Sequence, residues 1–470
     1  MPSLATGNRY LTPGMITMAD IQTLKIGVSG VRGIVGQSLT PQLVVGFAEA
    51  FGTYLGGGVV VIGRDPRPSG EMILNALIGG LLSTGCSVID VGVCPTPTMQ
   101  HAVVDLAADG GVSISASHHP SEWNALKFCR EDGIFLNQYQ AEELLNVYHQ
   151  GAFAQRPYDA LGRVGGDEGA INRHLSKVLS SVDRAAIAAM APKVVIDSVN
   201  GAGADCAEGL LEKMGCEVVA INDVPNGRFP REPEPIPENL GMLCEAVREH
   251  AADIGFAQDA DGDRLSVVSE KGEAIGEEFT LAFSADVMAE RDAEGPLVTN
   301  LSTSRMIDEV GERHGREVIR SKVGEVNVVE TMIAAGAVGG GEGNGGVIDP
   351  ELHYCRDNLA AMALILQGMA QRGQTVSQWQ DTFSPSAIVK EKLTCPAGKT
   401  QRAVLALRRN YEDEQMDLTE GVKVFFDDGS WMHARPSNTE PILRVIAEAD
   451  DRETARRLCD EAMQIACDAM

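Results

Sequence analysis

The fold is decided by residues 193–259, which read KVVIDSVNG (193–201), ADCAEGLLEKMG (204–215), CEVVAIN (216–222), ENLGMLCEAVREH (238–250) and ADIGFAQD (252–259). The first, third and fifth runs are short and apolar, with many β-branched residues, which is typical of buried strands. The second and fourth runs have the apolar spacing of amphipathic helices. The segment therefore predicts a unit of strand, helix, strand, helix and strand.

The same scheme occurs in two other parts of the chain. Residues 59–117 contain VVVIGRD, SGEMILNALIGGLLSTG, CSVIDVG, TPTMQHAVVDLAA and GGVSISAS, and residues 296–342 contain PLVTNLS, SRMIDEVGERHG, REVIRSKVG, EVNVVETMIAAG and AVGGGE. Gly85, Gly215 and Gly315 each stand where the first helix of a unit must stop, as a left-handed C-cap requires. Three such units predict mainly parallel sheets covered by helices on both faces, with ligands outside the carboxyl ends of the strands.

The last part of the chain follows a different pattern. VKVFFDDGSWMHA (422–434) is typical of a hairpin with its turn at Asp428-Gly429. PILRVIAEA (441–449) predicts another strand, and residues 451–467 predict an amphipathic helix. These elements indicate a smaller α+β domain.

Domain boundaries are predicted where the chain turns polar and contains Gly and Pro. Such linkers are expected around 151–170 and 383–400, and the second and third units are expected to meet near Glu270 to Gly272. The predicted fold class is therefore α/β with four domains. Three related α/β domains are expected at 1–168, 169–271 and 272–384, and an α+β domain at 385–470.

The composition limits which partners are compatible with the chain. The 470 residues are 44% hydrophobic and 22% charged, which is ordinary for a globular protein. Because 39 Lys and Arg face 66 Asp and Glu, the net charge is -27, and a nucleic acid or an anionic membrane would meet a repelling field. We expect neither as a main partner. A small anionic ligand stays compatible, since salt screens charges beyond about 8 Å and local cations then govern a pocket.

The sequence also carries expectations about the compartment. The N-terminus, MPSLATGNRYLTPGMITMAD, lacks the apolar core of a secretory signal, and no uninterrupted apolar run reaches the roughly 18 residues of a membrane span. The ten cysteines include no CxxC pair and are too sparse for a disulfide scaffold. We therefore expect a cytoplasmic protein with reduced, mostly buried thiols.

A cluster of aspartates follows the last strand of the second unit. DADGDR (259–264) supplies three carboxylates at alternate positions, which repel one another unless a cation neutralises them, and Arg264 suits a phosphate beside that cation. A solvated acidic turn is the alternative. An EF-hand loop is a further alternative, but its sixth position requires glycine and holds Arg264, and the preceding segment reads as a strand. The loop therefore predicts a divalent cation site.

A serine occupies the equivalent position in the first unit, where VSISASHHPSEWNALKF (112–128) places Ser117 after a strand. An isolated serine there would more often be a cap or turn residue, and a Ser-His-Asp hydrolase is disfavoured because the G-x-S-x-G motif is absent. Lys127 follows ten residues later. Lys127 is disfavoured as a base, because at a reference pKa near 10.4 only about one lysine in 10³ is neutral at pH 7. Nearby cations such as Arg32, in GVSGVRG (27–33), or Arg264 would depress that pKa, and bound phosphate would raise it.

A dense set of anion-binding groups lies in RPSNTEPILR (435–444). Arg435 offers a guanidinium, and Ser437, Asn438 and Thr439 offer side-chain and backbone donors to one phosphate. An ordinary polar turn is the alternative. Two arginines and a proline on each side favour an anion-binding site.

Taken together, GVSGVRG, SASHHP, DADGDR, GEGNG (341–345) and RPSNTEP resemble the α-D-phosphohexomutase family in content and order, over essentially the whole chain. That family includes phosphoglucomutases, phosphomannomutases and phosphoglucosamine mutases. The resemblance implies four domains around a central cleft and one Mg²⁺ held by Asp259, Asp261 and Asp263 together with a phosphate on Ser117. The implied catalytic residues are Ser117, His118, Lys127 and Arg32. The implied substrate-binding residues are Arg264, Glu342, Asn344, Arg435, Ser437, Asn438 and Thr439.

The implied reaction interconverts hexose 6-phosphate and hexose 1-phosphate through a phosphoserine and a hexose 1,6-bisphosphate, which also serves as activator. Whether Lys127 or His118 is the main base stays open, as does the choice between monomer and homodimer. Two positions depart from the family pattern: His119 stands where Asn is common, and G-E-x-S-G-H is replaced by a loop with Asn344 and Gly346.

The GEGNGG loop resembles that of phosphoglucosamine mutase-like members, and the missing histidine at position 346 is expected to leave room near the sugar. The expected substrate is therefore glucosamine 6-phosphate. A phosphomannomutase or phosphoglucomutase is the first alternative. A metal-dependent sugar phosphatase and a non-catalytic sugar-phosphate binding protein are the others.

Overall fold

The computed structural model describes residues 23–27, 30–395, 398–437 and 442–470. Within these ranges, the chain forms four β-sheets that follow one another in sequence, each covered by helices. The first three belong to related α/β domains and the fourth to an α+β domain. This confirms the predicted fold class.

Domain I is built on one mixed sheet. Its strands are β1 (Lys25–Gly27), β2 (Gly30–Ile34), β3 (Gly58–Arg64), β4 (Cys86–Val93), β5 (Gly110–Ile114), β6 (Trp123–Arg130) and β7 (Val164–Gly166), and its helices are α1 (Pro41–Leu55), α2 (Gly70–Ser83), α3 (Thr96–Asp105) and α4 (Gln138–Gln150). The strand order is β1-β2-β6-β5-β3-β4-β7. Strands β5, β3, β4 and β7 are parallel, whereas β6 returns antiparallel to β5 and pairs with β2 on its other side.

Domain II repeats the parallel core on a smaller scale. Its strands are β8 (Lys193–Asp197), β9 (Glu217–Ile221), β10 (Ile254–Gln258) and β11 (Leu265–Ser269), and its helices are α5 (Ala170–Ser180), α6 (Arg184–Met190), α7 (Ala204–Lys213) and α8 (Gly241–His250), with a short 3₁₀ turn at Pro237–Asn239. The strand order is β11-β10-β8-β9, in which only β11 is antiparallel.

Domain III has the same strand arrangement. Its strands are β12 (Leu297–Asn300), β13 (Val318–Ser321), β14 (Gly339–Glu342) and β15 (Gly346–Ile348), and its helices are α9 (Glu278–Ala289), α10 (Met306–His314), α11 (Glu325–Ala335), α12 (Asn358–Arg372) and α13 (Val376–Gln380). The strand order is β13-β12-β14-β15, with β15 antiparallel to β14.

Domains I to III therefore share one motif that positions three loops. In each domain the third strand of the parallel core is followed by a strand that returns antiparallel beside it. The connections are the serine loop (residues 115–122), the aspartate loop (259–264) and the glycine loop (342–346). All three lie at the carboxyl end of the strand that precedes them, where sheets of this kind present ligand-binding groups.

Backbone conformation ends the helices where the sequence predicts. Gly85, Gly215 and Gly315 have φ angles of 87°, 88° and 64°. This left-handed region is readily adopted by glycine and costs energy for a residue with a Cβ. The predicted stops of the first helix in each unit are thereby confirmed.

Domain IV is an antiparallel sheet with helices. Its strands are β16 (Ala387–Thr394), β17 (Gln415–Asp417), β18 (Val422–Phe425), β19 (Trp431–Pro436) and β20 (Ile442–Ala449), and its helices are α14 (Thr400–Asn410) and α15 (Arg452–Asp468). The sheet order is β16-β20-β19-β18-β17. The predicted hairpin, following strand and final helix are confirmed.

The predicted linker at 383–400 is not irregular throughout, because strand β16 takes eight of its 18 residues. Strand β16 pairs with β20 along eight residues and forms one edge of the domain IV sheet. The alternation in AIVKEKLT was the available signal, because period-two patterning is typical of a half-exposed strand. The other predicted linker, 151–170, has little regular structure apart from β7.

One hydrophobic core continues through domains II and III. It extends from Ile196 of β8 through Phe283 of α9 and Leu364 of α12 to Trp379 of α13. Helix α12 is buried on almost every side because it lies between the two sheets. Separate cores fill domain I and domain IV. Among the described residues, no helix has both the length and the apolar character that a membrane crossing requires.

Candidate active site

Ser117 lies in a strained turn that points its hydroxyl away from domain I. Its φ angle is 50°, in the left-handed region, and its backbone N–H donates to Ser115 Oγ at 2.9 Å. The side chain is buried, and Oγ donates to Oδ2 of Asp259 at 2.7 Å. Backbone strain of this kind is held in place only by surrounding contacts. The serine loop therefore places the Ser117 hydroxyl in direct contact with the aspartate loop of domain II.

Arg67 holds the serine loop in this shape. Its Nη2 donates to the carbonyl oxygens of Ser117 at 2.6 Å and His119 at 2.8 Å, and Nη1 donates to those of Pro120 at 2.6 Å and Trp123 at 3.2 Å. Its Nε donates to Oδ2 of the buried Asp65 at 2.8 Å. A guanidinium has five N–H donors in a fixed plane and can bind these four carbonyls and the carboxylate at once, which the three donors of a lysine cannot. Sequence analysis missed this residue.

The sequence could have predicted that Asp65 and Arg67 lie near Ser117. Both follow β3, the strand beside β5, in VVVIGRDPR. They therefore stand at the same edge of the sheet as Ser117, and the rule that located the other loops applies to them equally.

The aspartate loop gathers three buried carboxylates. Ligand oxygens of Asp259, Asp261 and Asp263 all lie within 4.8 Å of one another. Oδ1 of Asp259 accepts from the backbone N–H groups of Asp263 at 3.1 Å and Arg264 at 3.2 Å. Oδ2 of Asp261 accepts from Thr96 Oγ1 at 2.9 Å, so domain I supports this carboxylate as well.

The carboxylates fit a hard divalent cation. Oδ1 of Asp261 and Oδ1 of Asp263 are buried without a hydrogen-bond partner, which is costly for a carboxylate oxygen. Burial and the neighbouring charges of Asp263 and Asp261 raise the pKa of Asp259 well above its usual value. Orphaned oxygens and mutual repulsion are both relieved when carboxylates bind Mg²⁺.

Lys127, on β6, contacts the same carboxylates. Its Nζ lies 2.7 Å from Oδ2 of Asp261 and 3.7 Å from Oδ2 of Asp263. Burial would lower the pKa of this ammonium, but the carboxylates of Asp261 and Asp263 outweigh it and raise the pKa. The expectation that Arg32 or Arg264 depresses this pKa is therefore wrong in this state. Burial opposes the charge on Asp261 too, and the Lys127 ammonium lowers the pKa of that carboxyl.

Two arginines and two histidines surround the serine hydroxyl. His118 Nδ1 lies 3.5 Å from Ser117 Oγ, and Arg32 Nη1 lies 3.2 Å from His119 Nδ1. Loss of solvent and the Arg264 cation lower the pKa of His118 well below its usual value. Burial and the positive charge of Arg32 lower the pKa of His119 to about 2. Both imidazoles are therefore neutral at physiological pH.

The cations at this site are only partly neutralised. Burial and the charge of Arg264 lower the pKa of Arg32 to about 10. Arg264 has Glu234 at 3.4 Å and Asp263 at 3.8 Å as ion-pair partners, and its Nε has no hydrogen bond. A guanidinium whose charge is disfavoured by burial and by a second guanidinium makes a favourable place for an anion such as phosphate.

In the glycine loop, Glu342 is buried and held by three different partners. Its Oε1 accepts from Asn300 Nδ2 at 3.0 Å and from the backbone N–H of Gly324 at 2.9 Å, and its Oε2 accepts from Arg356 at 3.0 Å. Asn344 is half-buried, and its Oδ1 accepts from the backbone N–H of Gly346 at 3.2 Å. Sequence analysis missed Arg356.

The room expected at position 346 does not exist. A Cβ built on Gly346 would lie 2.4 Å from Cδ and 3.1 Å from Cγ of Arg356. The arginine stem occupies this volume because its guanidinium extends to Asp263, Glu342 and Glu325.

Domain IV brings a further arginine to the cleft. Arg435 Nη1 lies 3.3 Å from Oε1 of Glu420, whose Oε2 accepts from the backbone N–H of Val323 in domain III. Burial and the neighbouring Arg444 lower the pKa of Arg435, partly offset by Glu420 and Glu342. The backbone N–H of Ser437 donates to the carbonyl of Ile442. Asn438 and Thr439, predicted in the same loop, lie outside the described residues.

The predicted residues thus converge from different domains. Ser117, His118, Lys127 and Arg32 of domain I meet Asp259, Asp261, Asp263 and Arg264 of domain II, and Arg356 connects that group to Glu342 of domain III. A hydroxyl on a carboxylate cluster that fits a cation, with guanidiniums beside it, is suited to phosphoryl transfer. Fold and site together define an α/β phosphoryl-transfer enzyme.

Comparison with known sequences identifies the family. Sequence models of the phosphoglucomutase/phosphomannomutase family match the alpha/beta/alpha domain I at residues 23–155, domain II at 172–272, domain III at 276–385 and the C-terminal domain at 390–465. The chain belongs to this family. It is therefore an enzyme of the phosphohexomutase class.

Individual relatives are similar to this chain over almost its full length. A protein of Methanopyrus kandleri named probable phosphoglucosamine mutase is 39% identical, covering 93% of this chain and 97% of the relative. A phosphoglucomutase/phosphomannomutase of Thermococcus kodakarensis is 37% identical, covering 94% and 98%. The solved structure of a phosphoglucomutase/phosphomannomutase family protein from Burkholderia thailandensis has a TM-score of 0.82 at 25% identity, covering 96% of this chain and 98% of that one.

Proposed function

We propose that the protein interconverts glucosamine 6-phosphate and glucosamine 1-phosphate through a phosphoserine at Ser117 and a hexose 1,6-bisphosphate. The observation that carries this proposal is the hydrogen bond of 2.7 Å between Ser117 Oγ and Asp259 Oδ2. It brings the Ser117 hydroxyl to the place where a bound cation would meet a phosphate. Thr96 Oγ1 also contacts the carboxylates, at Oδ2 of Asp261, but it is hydrogen-bonded to Ser113 Oγ as well. Bound there by Asp259, Asp261 and Asp263, Mg²⁺ would offset phosphate charge.

The protein groups around Ser117 supply the other requirements. In the first half-reaction, a bond forms between O1 or O6 of the sugar and phosphorus, and the bond from phosphorus to Ser117 Oγ breaks. A base accepts the proton of the sugar hydroxyl, and Ser117 Oγ regains a proton. Lys127 and His118 are the two candidates for this proton transfer. Arg32 and Arg264 counter the charge of the transferring group.

The second half-reaction requires the bisphosphate to reorient. The flip roughly exchanges O3 with O4, so Glu342 can bond either hydroxyl, whereas contacts at C2 remain sparse. Arg435, Ser437, Asn438 and Thr439 are proposed to bind the phosphate that is not being transferred. Each of the two sugar orientations then places a different phosphate at the serine.

The choice of sugar is supported by the names of the relatives. The Methanopyrus protein is named for glucosamine phosphate, and so is a second Thermococcus protein at 35% identity. The relative named phosphoglucomutase/phosphomannomutase favours mannose and glucose phosphates as the alternative. The side chain of Arg356 fills the space beside Gly346, so the room expected there does not support glucosamine as the substrate. A hydrogen bond at C2 is worth about 0.5–1.5 kcal/mol, so the preference should reach tenfold or so at most.

Two other functions have specific arguments against them. A sugar phosphatase would pass the phosphoryl group to water, whereas domains that close over a sugar from several sides tend to exclude water. A non-catalytic binding protein would not need the Ser117 hydroxyl in contact with a cluster of three aspartates.

The test is a parallel assay with the 6-phosphates of glucosamine, mannose and glucose, each with Mg²⁺ and a trace of hexose 1,6-bisphosphate. Formation of 1-phosphate and of inorganic phosphate is followed by phosphorus NMR. We expect 1-phosphate from all three, with the highest kcat/KM for glucosamine. A higher value for mannose or glucose phosphate would reassign the substrate. Inorganic phosphate as the main product would favour the phosphatase, and inactivity on all three sugars would overturn the mutase.

A further inference from the structure

Arg356 connects two loops that belong to different domains. It stands just before helix α12, and its side chain is largely buried. Its Nη2 lies 2.6 Å from Oδ2 of Asp263 in the aspartate loop, and its Nη1 lies 3.0 Å from Oε2 of Glu342 in the glycine loop. A guanidinium that bridges two carboxylates in this way fixes the direction of both, because each N–H has a set geometry.

A third carboxylate fixes the arginine itself. Oε2 of Glu325, at the start of α11, lies 3.1 Å from Nε of Arg356, and Oε1 of Glu325 accepts from the backbone N–H of Arg356 at 3.4 Å. All three side-chain nitrogens therefore lie within ion-pair distance of carboxylates of the protein, and Nη1 and Nη2 also donate hydrogen bonds to them. Arg356 is not placed to bind a substrate phosphate, since that would require giving up one of these pairs.

The bridge depends on a glycine. A Cβ at position 346 would lie 2.4 Å from Cδ of Arg356, a separation that carbon atoms do not tolerate. Gly346 does not have a positive φ angle, so the backbone itself would accept another residue. Gly346 is thus required by the space that the arginine stem occupies.

We propose that Arg356 is a positioning residue that orients Asp263 for the cation and Glu342 for the sugar, and that Gly346 is present to admit it. The proposal rests on the proposed function for its kinetic part but not for its metal-binding part. Oδ2 of Asp263 is engaged by Arg356, so Oδ1, which has no hydrogen bond, is the oxygen that would bind the cation. Partners of metal ligands typically contribute 10–100-fold in metal affinity or activity.

The first test uses Arg356→Ala with Arg291→Ala as the matched control. Arg291 is also a domain III arginine, with a bidentate pair to Asp349 at 2.7 Å, but it has no contact with the three loops. The unfolding midpoint of the full chain is measured against Mg²⁺ concentration. We expect Arg356→Ala to need about tenfold more Mg²⁺ than wild type for a half-maximal shift. Arg291→Ala should lower the baseline midpoint and leave the Mg²⁺ requirement unchanged.

The second test is a double-mutant cycle with Gly346→Ala. Because the added methyl displaces the arginine stem, Gly346→Ala should lower kcat at least about tenfold with little change in KM. The double variant should be no less active than Arg356→Ala alone, since both changes remove the same bridge. Arg356→Lys, which can reach one carboxylate at a time, should fall between wild type and Arg356→Ala.

These outcomes separate the proposal from the proposed function. Wild type that is inactive on every hexose phosphate, with the tenfold Mg²⁺ difference intact, would overturn the mutase and support the positioning role. An active wild type with equal Mg²⁺ requirement in Arg356→Ala and Arg291→Ala would overturn the positioning role alone. Additive losses in the double variant would overturn the link between Gly346 and Arg356.

Discussion

Nη2 of Arg67 lies 2.6 Å from the carbonyl oxygen of Ser117, so a buried guanidinium holds the backbone of the residue that meets the aspartates. The same side chain binds the carbonyl oxygens of His119, Pro120 and Trp123. A positive φ angle at Ser117 is thereby stabilised by a cation that donates to the backbone of the serine loop and to Asp65.

Arg67→Lys should therefore inactivate the enzyme without removing the charge. A lysine has three donors on one nitrogen and cannot reach the carbonyls and Asp65 together. With two or more charge-assisted bonds lost, at about 1.5–3 kcal/mol each, kcat/KM should fall by at least about 10². Arg64→Lys is the control in steady-state kinetics, because Arg64 is the last residue of the strand that precedes Arg67 and pairs with Asp90 at 3.6 Å. Equal kcat/KM in both variants would contradict the role of Arg67.

Ser117→Ala should abolish mutase turnover, because it removes the hydroxyl that lies on Asp259 and is proposed to carry the phosphoryl group. Peptide mass spectrometry of wild type should find a phosphate on Ser117. Ser121→Ala is the control, since this serine is in the same loop and donates to the carbonyl of Gly227 instead. Normal turnover by Ser117→Ala would exclude the phosphoserine route.

Asp259→Asn should separate stability from activity. Without a cation, the three buried carboxylates repel one another, and burial raises the pKa of Asp259 further. An amide keeps an acceptor for the two backbone N–H groups and removes one charge. In EDTA, we expect the unfolding midpoint to rise by about 2–4 °C, the shift that 1 kcal/mol produces in a domain of 150–250 residues. Added Mg²⁺ should stabilise wild type and leave this variant unchanged.

Asp132→Asn is the control for that experiment, because Asp132 is exposed and pairs with Arg130 on the surface. Its midpoint should respond to Mg²⁺ as wild type does. A wild-type midpoint that is insensitive to Mg²⁺ would count against a cation in the aspartate loop.

Arg435→Ala should weaken binding of the distal phosphate in both orientations of the sugar. One charge-assisted bond is worth about 1.5–3 kcal/mol, so kcat/KM should decrease roughly 10- to 150-fold, mostly through KM. Arg409→Ala, on the exposed end of α14, is the control. If both variants keep wild-type KM, the distal phosphate binds elsewhere.

The parts of the site that follow strand ends were predictable from the sequence. Ser117 and Asp259 lie on equivalent loops because each unit repeats one strand order, and periodicity alone locates those loops. Arg67 obeys the same rule and was open to the same inference. Arg356 has no such signal, since it lies in a loop before α12 and reaches the site only through contacts between domains. The absence of a side chain at Gly346 indicated room, whereas the fold fills that room with a distant residue.

Strand β16 was missed for a related reason. It has three consecutive charged residues, Lys390 to Lys392, and its only buried hydrophobic side chain is Val389, so local polarity resembles that of a linker. Pairing with β20 decides its structure, and that partner is about fifty residues away in the chain. Long-range pairing of this kind is not visible in a short sequence window.

The contact between domains III and IV includes a carboxyl that should respond to pH. Glu278 is buried, with Oε1 2.9 Å from Nζ of Lys390 on β16 and Oε2 accepting from the backbone N–H of Ser304. Burial and the charge of Glu277 raise its pKa to about 7, although Lys390 acts in the opposite direction. The same Lys390 donates to the carbonyl of Gly343 in the glycine loop. The protonation of Glu278 is therefore coupled to a contact near the site.

The raised pKa makes Glu278 stabilising at low pH and costly at high pH. Between about pH 4.5 and 7 the unfolded chain releases this proton and the folded protein keeps it, so the free energy of unfolding falls as pH rises, by about 3 kcal/mol in total. Glu278→Gln removes this dependence. The urea midpoint of the variant minus that of wild type should therefore increase from pH 5 to 7 and level off by pH 8. A difference that stays constant across this range would show that Glu278 titrates normally in the folded protein.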